Sequence, residues 1–107
     1  MKANLETYQK LVSEMFESMS QAIGIHVMVL VLEQALWKTK YNHQDAGKIN
    51  FSEEGVSLDG LQSIDSEQAV IIAHEFTMGI VATLGRLIGV QLANQLTEEL
   101  KSNIGEV

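Results

Sequence analysis

SEQAVIIAHEFTMGIVATLGRLIGVQLANQLTEELK, residues 66–101, is the stretch whose reading decides the fold. It is apolar on nearly every side, holds no proline, and is punctuated by Gly79, Gly85 and Gly89. The pattern predicts one long helix over 66–101, because a glycine inside a helix costs only ~1 kcal/mol against alanine. Roughly 36 helical residues at ~1.5 Å each span about 54 Å. A compact domain of this length has a radius of gyration of about 13 Å. Such a rod outruns the globule. Either one of its glycines breaks it or a second copy of the chain covers the overhang, and the second copy is the expected cover.

Upstream, Leu5, Tyr8, Leu11, Val12, Met15, Phe16 and Met19 recur at three- and four-residue spacing. That period belongs to an amphipathic helix, expected over 3–22 and stopped or kinked at Gly24. A second helix is expected over 25–42. Its first half, IHVMVLVL, is apolar at almost every position, and its continuation through Glu33, Gln34, Ala35, Leu36 and Lys38 favours helix over strand. Between the helices, Ile49 and Phe51 and then Val56 and Leu58 alternate with polar residues around the turn-like SEEG, which predicts a short β-hairpin over 48–58. DAGK reads as a simple turn. Asp65 or Ser66 caps the last helix.

Composition narrows the chemistry. The 107 residues suffice for one domain and one core, and 46% hydrophobic with 20% charged residues is a globular balance. Without cysteine there are neither disulfides nor thiolate metal sites. A formal net charge of −7 argues against nucleic acid and against an anionic membrane surface. Met1 to Gly24 is acidic and amphipathic rather than a secretory signal. His74, Glu75 and Arg86 within the apolar helix do not suit a lipid-exposed span. The expectation is a soluble, cytoplasmic chain with no membrane partner.

Glu75, Gly79, Ala82, Arg86, Gly89 and Ala93 recur along one stripe of the last helix, its inner members small. If that helix packs antiparallel on its own copy, Glu75 of one chain meets Arg86 of the other, twice. Alternatively, the stripe receives the second helix of the same chain.

From His74 the chain reads H-E-F-T-M-G-I-V-A-T-L-G. It resembles the phosphoacceptor box of sensor histidine kinases: a histidine, an acid, an apolar residue, then leucine or isoleucine six positions on and often glycine at eleven. The matching positions are His74, Glu75, Phe76, Ile80 and Gly85. Thr77, Met78 and Gly79 depart from that box, where arginine or asparagine, threonine and proline are usual. The resemblance covers about a dozen residues. It implies a dimeric four-helix bundle in which His74 carries a phosphoryl group and Glu75 orients or deprotonates its imidazole, with a response-regulator receiver as partner. The plainer alternative is a histidine satisfied inside a core or interface.

Other chemistry is thinner. H-E-x-x-H fails because Met78 stands where the second histidine belongs. His26, Glu33, His43 and Glu75 would gather a metal only by folding, and nothing in their spacing requires it. Trp37, Tyr41 and the five methionines either pack or line a ligand cavity.

The sequence therefore predicts a mainly α chain: two or three helices with a short hairpin, a bundle completed by dimerisation. It is read as a non-catalytic interaction or signalling module with no cofactor and no assigned metal. The alternatives are a histidine phosphotransfer protein using His74 and a ligand- or metal-binding sensor bundle.

Overall fold

Three helices and one hairpin make up the fold, seen in a computed structural model that describes residues 4–89 and Glu98. Helix α1 (Leu5–Ile23) begins where the side chain of Asn4 accepts the backbone N–H of Thr7, satisfying one of the donors a helix start leaves free. Gly24 ends it at φ +94°, a conformation that costs glycine little. Helix α2 (Ile25–Asn42) starts at the next residue and runs to the boundary that its sequence pattern predicts.

The hairpin pairs β1 (Asn50–Ser52) antiparallel with β2 (Gly55–Ser57), with Phe51 opposite Val56. Strands of this length are marginal alone. Gln9 on α1 holds this pair in place. Its amide donates to the Val56 carbonyl at 2.9 Å and accepts from the Leu58 N–H at 2.6 Å. Each side of the hairpin carries a 3-10 helix, Gln44–Lys48 and Asp59–Ser63. The first overturns the reading of DAGK as a simple turn. Both are five-residue pieces that close short connections, and they bury Ala46 and Leu61.

Helix α3 (Ser66–Ile88) opens at Asp65, whose carboxylate accepts the N–H groups of Glu67 and Gln68. Its inner positions, among them Ile72, Phe76, Ile80 and Leu84, are fully buried with Val12 of α1 and Met28, Val31 and Leu32 of α2. Three buried threonines interrupt this apolar interior. Thr39, Thr77 and Thr83 each donate the hydroxyl to the carbonyl four residues back, so none is left without a partner. Among the described residues, one helical stretch, Ser66–Leu87, is long and apolar enough to cross a membrane by length and composition.

One expectation is corrected here. The last helix does not run unbroken over 66–101. It stops at Ile88, where Gly89 takes φ +104° and donates its N–H to Gly85. At ~1.5 Å per residue, α3 is about 34 Å long, which equals the longest extent of the molecule, 34 Å. The overhang that called for a second copy is absent from this helix. Beyond Gly89 the stretch 66–101 lies outside the described residues apart from Glu98, and so does Ala93 of the small-residue stripe.

Two glycines predict opposite outcomes. A Cβ on Gly60 would overlap the backbone carbonyl of Lys48, which cannot rotate away. Gly60→Ala is expected to destabilise by about 1–3 kcal/mol, the usual cost of overpacking. A Cβ on Gly79 would meet Ala35 at 3.4 Å, an ordinary contact. Gly79→Ala is expected to hold or raise stability by up to ~1 kcal/mol through helix propensity. Urea unfolding of the two variants checks the contrast.

Candidate functional site

His74 and Glu75 are neighbours in sequence, yet a helix turns by roughly 100° per residue, and they serve different partners. His74 faces α1 and is exposed. Its Nδ1 lies 2.8 Å from the Tyr8 hydroxyl, and the two rings meet edge to face at 5.7 Å between centroids. Glu75 faces the end of α2. Its Oε2 accepts from the Asn42 amide at 2.9 Å, and its Oε1 lies 3.1 Å from Nε2 of His43.

His43 is fixed from both sides. Its Nδ1 lies 3.4 Å from the side-chain nitrogen of Gln68, one turn into α3. With Gln68 donating to Nδ1, the ring proton sits on Nε2 and is given to Glu75. The N–H of His43 meanwhile closes α2 on the Thr39 carbonyl at 2.8 Å. The Asn42 amide, and after it the hydrogen bond of His43 and the charge that ring carries once protonated, hold the Glu75 carboxyl below its ordinary value against the opposing effect of burial. Burial pushes the Tyr8 phenol up, so its proton stays in place.

Tyr8, Ile71, His74, Glu75 and Met78 surround a shallow depression of about 420 Å³. Two tautomers are open to His74 there. When Nδ1 accepts from Tyr8, Nε2 carries the ring proton. When Nδ1 carries it, the phenol oxygen accepts, and Nε2 presents its lone pair to solvent as nucleophilic attack requires. The group that orients the imidazole is Tyr8. The Glu75 carboxylate is engaged by α2 instead.

The small-residue stripe divides in the same way. Gly79 faces Ala35 of the same chain, the alternative in which the stripe receives the second helix. Ala82, Arg86 and Gly89 are exposed. The four residues weighed as a metal set do not converge. His26 pairs with Glu53 of the hairpin turn at 3.0 Å while His43 pairs with Glu75. Among the described residues, no group of three or more such side chains is placed to hold an ion. Trp37 and Tyr41 line no interior cavity: they are 70% and 87% exposed.

Sequence reasoning missed Tyr8, Asn42 and Gln68. Tyr8 carried a signal, since a phenol at a core position of an amphipathic helix must find a hydrogen-bond partner. Asn42 and Gln68 acquire their roles only from the antiparallel register of α2 and α3. Comparison of the chain with family models, curated proteins and solved structures finds no match.

The Glu75 contacts set a pH dependence. Its pKa is lower folded than unfolded, so between the two values the unfolded chain binds more protons and stability rises with pH. This contribution is complete above the ordinary carboxylate value and is lost as pH falls through the lowered one. In urea unfolding, wild type is expected to exceed Glu75→Gln in stability at pH 7, with the gap closing in acid below the ordinary carboxylate range. An equal gap in both conditions would contradict the assignment.

Proposed function

We propose that this chain is a small cytoplasmic interaction module that works as a soluble homodimer and performs no catalysis of its own, in a signalling setting. One observation carries the reading. Large apolar side chains stand in solvent on the outer faces of two packed helices: Leu30, Trp37 and Tyr41 on α2, Ile71 and Met78 on α3. None of them belongs to the buried core, and exposed apolar surface that gathers on one face marks interaction sites in folded proteins. The acidic balance, −7 overall, favours a protein partner over nucleic acid or an anionic lipid surface.

The exposure of His74 favours a second reading, phosphotransfer, in which a response-regulator receiver exchanges a phosphoryl group with its Nε2. Tyr8 supports it by holding the imidazole from the Nδ1 side.

Sedimentation velocity over a wide concentration range is expected to give twice the mass of one chain; a single subunit at every concentration removes the homodimer. For the second reading, incubation with a phosphorylated receiver domain should place an acid-labile label on wild type and none on His74→Gln. An unlabelled wild type removes it.

A further inference from the structure

We infer that the outer face of α2 is where this chain pairs with a second copy of itself, the two α2 helices running antiparallel. The inference rests on the homodimer reading and gives that dimer its surface. Val27, Leu30, Gln34, Trp37 and Tyr41 follow one another by three, four, three and four residues, the seven-residue repeat of a two-helix seam. The buried residues of the same helix, Met28, Val31, Leu32, Ala35 and Thr39, point the other way into the chain. Four of the five seam positions are apolar, and exposure along them climbs from 38% at Val27 and 58% at Leu30 to 70% at Trp37 and 87% at Tyr41. Helix α2 therefore has two apolar faces, and the described residues of its own chain cover one.

Charge and shape name the occupant. Glu33 and Lys40 lie seven residues apart on the same flank of the seam. Both are exposed, and among the described residues neither joins an ion pair. In an antiparallel pair related by a two-fold axis, like flanks face each other with their order reversed. Glu33 of each copy then meets Lys40 of the other, and both charges are answered twice. The same register sets Leu30 opposite Tyr41 and Gln34 opposite Trp37, matching each ring with a smaller side chain and keeping the helices evenly spaced. Parallel pairing would put Trp37 on Trp37 and Tyr41 on Tyr41 at one end, leaving the Val27 end splayed. A hollow of about 320 Å³ lined by Trp37, Lys38, Tyr41 and Asn42 lies at the wide end. In the antiparallel arrangement it faces Leu30 of the second copy, the knob such a hollow accepts.

Trp37 is the chain's single tryptophan and reports on the seam directly. On raising the wild-type concentration, its emission is expected to shift to the blue as the sedimenting mass doubles. Leu30→Glu should hold the mass at one chain and the emission at its solvent-exposed position, with helix content by circular dichroism unchanged. Glu33→Lys should weaken the dimer about tenfold by turning two attractions into repulsions. Adding Lys40→Glu should restore it to within about twofold. Rescue by Lys38→Glu in place of Lys40→Glu overturns the antiparallel register, because Lys38 is the residue a parallel pair would bring to Glu33. A wild-type dimer that survives Leu30→Glu and Trp37→Glu but dissociates with Arg86→Glu keeps the homodimer and overturns the α2 surface. A wild type that is one subunit at every concentration overturns both, and a blue shift appearing then only with anionic vesicles gives the face to lipid.

Discussion

Gly79 opposite Ala35 is a close approach of α2 and α3, with room left for one methyl group. With no side chain on one helix and a single methyl on the other, the two backbones approach closely, and the larger side chains on either side interdigitate in one register. That register has a chemical consequence. One turn toward the start of α3 from Gly79 is Glu75, and the antiparallel course of α2 brings its last residues, Asn42 and His43, to the same level. The Glu75–Asn42–His43 contacts belong to the same antiparallel packing of α2 on α3.

Much of the fold was legible because its boundaries depend on local chemistry. Gly24, Asn42 and Asp65 stand where the hydrophobic period changes, and the helices begin or end there. The hairpin was legible from the alternation of Ile49 and Phe51 with polar neighbours. What escaped depends on contacts between distant residues. Gln9 lies on the polar edge of α1, and nothing near it in sequence shows that its amide spans two backbone groups nearly fifty residues away. The end of α3 escaped for another reason. Gly79, Gly85 and Gly89 look alike in sequence, but of the three only Gly89 adopts a positive φ, and α3 ends there.

The candidate site was legible in part. His74 and Glu75 stood out as polar residues in an apolar helix, and adjacency suggested that they act together. Geometry separates them: the roughly 100° turn between consecutive residues sends one toward Tyr8 and the other toward His43. A pair three or four residues apart would have shared a face. Adjacent polar residues on a central helix more naturally staple it to two different neighbours, and in this way α3 is tied to α1 and to α2 by one hydrogen-bonded histidine each.

This stapling bears on where self-association can occur. On α3, Glu75 is held by its own chain and Gly79 lies against Ala35, so two of the six stripe residues that would have met a second copy are already in use. Freeing Glu75 would forfeit two hydrogen bonds before any contact between copies was made. On α2 the opposite holds. Among the described residues the outer side chains have no hydrogen-bond partners to lose, and their large apolar surface stands in solvent. An unbroken C-terminal rod is also unnecessary for pairing in that place, since α2 lies wholly between Gly24 and His43. The acidic surface adds a limit of its own: a chain carrying −7 repels its copy at long range. Pairing is therefore favoured where a lysine is at hand to answer a glutamate, and Lys40 supplies that on the flank of α2 that also carries Glu33.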